Sequence, residues 1–107
     1  MYLPPGRWRL VTITPMSVGD LNIIFSGPPD EPFPISGTAP ALGAVIGGRW
    51  STITGDISFI TNTGLAFNGT LNGPRENYPI TGPYVMSGVL NGPAGPSIWV
   101  ADTYVVA

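Results

Sequence analysis

Apolar and polar residues alternate with a period of two along most of this chain. In 51–60, Ile53, Ile57 and Phe59 share one face, and Thr52, Thr54, Asp56 and Ser58 share the other, which predicts a strand with one dry and one wet side. Thr61-Asn62-Thr63-Gly64 then reads as a turn. Leu65, Phe67 and Leu71 alternate with Ala66, Asn68 and Thr70 to complete a hairpin. In the first half, Leu21, Ile23 and Phe25 alternate with Asp20, Asn22 and Ile24. Between Arg7 and Thr14 the phase changes at Leu10 and Val11, which predicts a bulge or burial on both sides. The segment 98–106 is apolar on both faces: Ile98, Val100, Tyr104 and Val106 on one, Trp99, Ala101 and Val105 on the other. Such a strand belongs either in the middle of a sandwich or at a subunit contact.

Breakers punctuate these strands so densely that few stretches of ten residues are free of them: the 107 residues include 15 Gly and 13 Pro. Helix is therefore not expected. The Pro-rich stretches 28–34 and 93–96 are expected in loops or at edges, and the Asn-Gly pairs at 68, 72 and 91 are turn signals. At Asn68-Gly69-Thr70 a turn outweighs the formal glycosylation sequon as a reading. Gly and Pro at this level also occur in disordered chains, but Leu, Ile, Val and Phe make up about a quarter of the residues, enough for a core. Seven or eight short strands at this spacing predict an all-β fold. An antiparallel barrel, or a flattened barrel or sandwich, fits, and closure favours the barrel because it removes edges that would aggregate in so uncharged a chain.

The chain also resembles itself. Gly6-Arg7-Trp8 recurs as Gly48-Arg49-Trp50, and Thr12-Ile13-Thr14 as Thr52-Ile53-Thr54. Phe33-Pro34-Ile35-Ser36-Gly37 matches Tyr78-Pro79-Ile80-Thr81-Gly82, and Gly43 and Gly47 match Gly88 and Gly92. These matches predict an internal pseudo-two-fold repeat with halves 6–47 and 48–92 and a closing strand 97–106. Halves this short share one core, so 1–107 is expected to be a single domain.

Composition excludes much chemistry. The chain has no His, no Cys and no Lys. That removes the imidazole base and the Ser-His-Asp triad, thiol nucleophiles, disulfides, zinc-thiolate sites, Schiff bases and the P-loop. Four Arg against six acids give a net charge of −2, too few cations for nucleic acid or for a basic membrane-binding patch. No apolar run approaches the ~20 residues of a membrane helix, and 1–7 has no signal-peptide apolar stretch. Membrane insertion is therefore not expected, and neither is any cofactor or metal. The compartment is left open.

Gly48-Arg49-Trp50, the polar stretch to Thr61, Phe67-Asn68-Gly69-Thr70-Leu71, Tyr78-Pro79-Ile80-Thr81-Gly82-Pro83-Tyr84 and then Trp99 together resemble the opening half of an avidin or streptavidin chain, over 48–104. The resemblance implies a calycin-type barrel. It does not extend to the biotin-binding residues: the family's loop serine falls near Asp56, its second-strand tyrosine on Leu71 and its serine on Gly73.

Trp8, Trp50, Trp99 and Tyr84 are candidates to line a ligand cavity in the barrel mouth. The competing expectation has each Trp plugging the core beside an Arg stacked on its ring. Asp56 and Asp102 lie on strands and could hold a ligand or act as an acid–base pair; placement against Arg or solvent is the alternative. Asp30 and Glu31 are too few for a convincing cation site. The functional expectation is a non-enzymatic barrel, a homo-oligomer, binding a small apolar ligand or a partner surface. The alternatives are a structural or assembly protein with a filled barrel, and a carboxylate- or tyrosine-based enzyme.

Overall fold

The computed structural model describes residues 1–107, with Val45 and Ile46 described by their backbone alone. Eight strands follow one another: β1 (Gly6–Thr12), β2 (Ser17–Phe25), β3 (Phe33–Ala39), β4 (Gly43–Trp50), β5 (Asp56–Thr61), β6 (Ala66–Asn72), β7 (Gly82–Gly92) and β8 (Gly95–Val105). Each pairs antiparallel with the next, and β8 pairs with β1 to close the barrel. The fold is thus an all-β, closed, eight-stranded antiparallel barrel. Closure leaves no unpaired edge, which suits a chain with few charges to guard one.

Consecutive hairpins give the barrel two different ends. The turns 13–16, 40–42, 62–65 and 93–94 all lie at one end, the short-turn end. The longer connections 26–32, 51–55 and 73–81 lie at the other, the long-loop end, together with the segment 1–5 and the exit of β8.

Inward positions hold Trp8, Leu10, Leu21, Ile23, Ile35, Ala39, Trp50, Ile57, Phe59, Phe67, Leu71, Tyr84, Met86, Leu90, Trp99 and Ala101, all buried in one continuous core. In a β-strand the neighbour of an inward residue points outward, so Arg7, Arg9 and Arg49 project from the outer wall while Trp8 and Trp50 point in. The expected stacking of each Arg on its adjacent Trp is thereby replaced by separation across the wall.

Several local expectations are corrected. β1 has no bulge: its seven residues pair continuously with β2 from Gly6↔Ile23 to Thr12↔Ser17. Trp8, Leu10 and Thr12 are buried, and Val11 sits half-buried on the outer wall. The register shifts fall instead between Ile35 and Gly37 and between Val45 and Gly47. Ile53 belongs to the β4–β5 turn, and its side chain is exposed. Phe25, the last residue of β2, is partly exposed as well. Asn68-Gly69 lies in the middle of β6 rather than in a turn. The Pro-rich stretches are only partly loop, since Pro34 opens into β3 and Pro96 into β8.

The repeated motifs occupy unlike places. Gly6-Arg7-Trp8 opens β1, whereas Gly48-Arg49-Trp50 closes β4. Phe33–Gly37 is strand, whereas its counterpart 78–82 is loop up to Gly82, where β7 begins. The matches therefore do not map strand upon strand. In the avidin-type alignment, too, the Gly-x-Trp motif at 48–50 ends a strand instead of beginning one.

Candidate functional site

The barrel interior is filled with side chains. At the long-loop end the segment 1–5 folds over the opening, and Leu3 and Pro4 are buried there. The Trp8 indole Nε1–H donates to the Pro4 carbonyl at 2.9 Å. Tyr2 meets Tyr84 edge-on at 6.5 Å between ring centroids, and the Tyr84 hydroxyl accepts the Ile80 amide at 3.1 Å. The Met1 ammonium donates to the Thr52 carbonyl at 2.7 Å and to Asn77 Oδ1 at 2.6 Å. Glu31, from the β2–β3 loop, accepts from the Thr52 hydroxyl at 2.8 Å and the Thr52 amide at 3.2 Å. Hydrogen bonding by the Ser51 hydroxyl, helped by both Thr52 donors, lowers the Glu31 pKa below its ordinary 4.5.

Deeper in, Phe59 and Phe67 stack with centroids 4.5 Å apart, and Trp99 meets both edge-on at 5.8 and 5.6 Å. Such geometry satisfies the ring quadrupoles. The indole occupies a space left by glycine: a Cβ on Gly69 would lie 2.7 Å from Trp99 Cζ2. Its Nε1–H donates to the Asn68 carbonyl at 3.2 Å. The four aromatic candidates, Trp8, Trp50, Trp99 and Tyr84, are thus brought into one interior, where they fill it instead of lining an opening. Among the described residues no buried side-chain nitrogen or oxygen lacks a partner.

The candidate carboxylates stay apart. Asp56 begins β5 and is exposed, sharing an open outer groove of about 510 Å³ with Arg49, Ser58, Asn68 and Thr70. Asp102 lies three strands round on β8, where its Oδ2 accepts from Arg9 at 3.1 Å. Arg7 pairs with Asp20 at 2.9 Å. Asp56 and Asp102 therefore form no acid–base pair. Among the described residues no group of three His, Cys, Asp or Glu side chains could hold a metal ion.

A concave surface lies at the short-turn end of the barrel. It is an open depression of about 570 Å³ whose walls include Pro15, Pro40, Leu42, Leu65, Pro93 and Ala94. Several polar groups of its rim bond one another. Thr63 Oγ1 donates to the Leu42 carbonyl, and Thr61 and Thr63 hydroxyls meet at 2.9 Å. Asn62 Oδ1 accepts the Ala44 amide at 3.1 Å, and Ser97 Oγ accepts the Thr14 amide at 3.0 Å. Most of the residues lining it are apolar or glycine. The outer wall continues this character: Val11 lies beside Val18 and Val100, and Val89 beside Ile98. The expected two-sided strand is present in β8, with Trp99 and Ala101 buried and Ile98, Val100 and Tyr104 exposed.

Comparison of the chain with protein-family models, characterised proteins and solved structures gives no match.

Proposed function

We propose that this protein is a non-enzymatic β-barrel binding module that acts through its outer surface and not through a ligand held inside the barrel. The observation that carries this reading is the filled interior. Every large inward side chain among the described residues is buried, and Trp99 packs against Phe59 and Phe67 while Trp8 and Trp50 are closed off from solvent. The apolar character that remains available lies outside, on the turns, on the wall formed by β7, β8, β1 and β2, and at Ile60 on β5. Scattered acids, of which Asp20 and Asp102 are each paired with one Arg, favour binding over catalysis. The likeness to avidin supports no more than barrel architecture in this reading, because neither the biotin-contacting residues nor the position of the Gly-x-Trp motif agrees.

Native mass spectrometry of the protein mixed with a panel of small apolar ligands, followed alongside tryptophan emission, tests this. The expected result is no retained ligand and unchanged emission. A retained ligand that also shifts the emission of the buried indoles would overturn the reading. Self-association through the β8 wall is a second reading, favoured by the Val18–Val11–Val100 row, and the same spectra report its stoichiometry.

A further inference from the structure

The ten charged side chains of this protein are spaced along the chain in a way that the barrel converts into an axial polarity. They leave four uncharged stretches of ten residues or more, 10–19, 32–48, 57–74 and 77–101. Each stretch contains one of the four turns of the short-turn end, at 13–16, 40–42, 62–65 and 93–94. The charged row nearest that end is Asp20–Arg9–Asp102, adjacent residues on β2, β1 and β8. From Arg9 to the end of β1 at Thr12 there remain three residues, about 10 Å of strand. Arg49 and Asp56 lie at the opposite ends of their strands, and Asp30, Glu31, Arg75 and Glu76 lie in the long loops.

Exposed apolar side chains occur at both ends, Ile53, Tyr78, Tyr104 and Val106 among them at the long-loop end. Only the short-turn end carries them, on its tip and around its circumference, with no charged side chain among them. Met16 is 81 % exposed in the β1–β2 turn, which also exposes Ile13. On the wall, Val18 is 68 % and Ile98 60 % exposed, with Val89 and Val100 beside them; Ile60, on β5, is exposed on the far side of the barrel. Geometry selects among occupants. The wall residues point radially, away from the barrel axis, so a second copy docked end to end would leave them in water. A second copy docked side by side on β8 and β1 would leave Ile60 in water. A medium that surrounds the whole end covers all of them.

Resting on the surface-acting reading above, we infer that the short-turn end inserts into the interfacial region of a lipid bilayer, to the depth of the charge-free collar. Along β1 that depth matches the roughly 5–10 Å to which interfacial elements enter the headgroup and acyl boundary, while on β8 the uncharged run before Asp102 is longer and begins at Gly95. The Asp20–Arg9–Asp102 row then sits at the headgroup level, and the concave mouth faces the acyl chains. Spanning is opposed by the same row. A membrane-spanning barrel is apolar outside and polar within, whereas this interior is apolar and its outer wall carries Arg and Asp. The scarcity of cations, which argues against electrostatic attraction to a membrane, does not bear on insertion driven by apolar burial.

Co-flotation with neutral phosphatidylcholine vesicles tests the inference on the full chain. The wild-type protein is expected to float with the vesicles, to nearly the same extent at low and high salt. Met16→Asp combined with Ile98→Asp is expected to cut binding by roughly tenfold or more, whereas Ile53→Asp, equally exposed at the long-loop end, leaves it unchanged. Because the chain has no cysteine, Met16→Cys and Ile53→Cys give single sites for an environment-sensitive fluorophore. Insertion blue-shifts the probe at 16 and not at 53, and these mild surface changes keep the test open should an Asp variant misfold. No flotation of the wild type, or equal shifts at both sites, overturns the lipid inference. In that event, oligomers that Ile98→Asp dissolves leave the surface-acting reading standing, whereas a monomer carrying a small molecule within the barrel overturns both.

Discussion

Individual residues in this barrel are constrained most where two strands and an indole compete for one space. Gly69 faces Gly88 across the β6–β7 pair, and Gly88 faces Trp99 across β7–β8. A methyl on Gly69 meets both the indole and the Ser87 carbonyl, and neither can retreat without opening a ladder. Gly69→Ala is expected to destabilise by about 1–3 kcal/mol, in the range of overpacked cores, read as a lower urea midpoint at constant slope. Phe67→Ala removes the ring stacked on Phe59 and facing Trp99, and is expected to cost about 3–5 kcal/mol. Asp102→Asn behaves differently. Its partner Arg9 is largely exposed and the carboxylate partly so, so the loss stays below about 1 kcal/mol and shrinks further at high salt. A much larger loss, persisting in salt, would mean that Asp102 serves more than this ion pair.

At the scale of elements, the long-loop end is closed by segments that meet only in the folded state. Leu3 enters the core, Met1 bonds Thr52, and Glu31 reaches the same turn from another loop. Leu3→Ala is expected to cost about 2–5 kcal/mol and to red-shift the emission of Trp8 as water reaches its ring. Glu31 adds a pH dependence whose sign follows from its lowered pKa. A carboxylate with a depressed folded pKa contributes stability above its unfolded value, and that contribution is lost as pH falls through the folded value. Acid titration of stability below 4.5 should therefore be steeper in the wild type than in Glu31→Gln, and identical slopes would show the loop contact to be without effect. Periodicity revealed much of this architecture beforehand. The alternation at Leu21, Ile23, Ile57, Phe59, Phe67 and Leu71, and the two-sided pattern of β8, correspond to what the barrel buries and exposes. Ile53 followed the same period and was misleading, because the Gly55 turn, with φ +75°, breaks the chain before β5. Asn68-Gly69 carries a turn signature for an unrelated reason: Gly69 makes room for an indole thirty residues away. Tertiary packing of that kind leaves no local trace. The charge-free end did leave one, in the spacing of the ten charged residues, but it acquires meaning only once the hairpins bring the four uncharged stretches to one end.

For the whole molecule, the point of closure and the apolar wall coincide. β1 and β8 pair at four positions, Arg9↔Asp102 to Thr12↔Trp99, against seven between β1 and β2 and eleven between β7 and β8. Closing this seam joins residues at opposite ends of the chain, which is entropically the most expensive contact to form. It is also among the least reinforced, with one exposed ion pair and the Thr103 hydroxyl bonded to the Arg7 carbonyl at 2.9 Å. Local opening is drawn from such regions. Hydrogen exchange by mass spectrometry should then find 9–12 exchanging faster than the β7 segment 84–90. Val11 and Val100 sit on the outer face of this same seam, so an occupant that covers them also clamps the barrel shut. Binding to the native state alone adds stability by mass action, and here the gain should appear as slowed exchange at the seam. Neutral vesicles are expected to protect 9–12 and 98–101 while leaving the long-loop segment 73–81 exchanging at its free rate. Uniform protection along the chain would indicate global stabilisation instead, and no protection at the seam would place the bound surface elsewhere on the barrel.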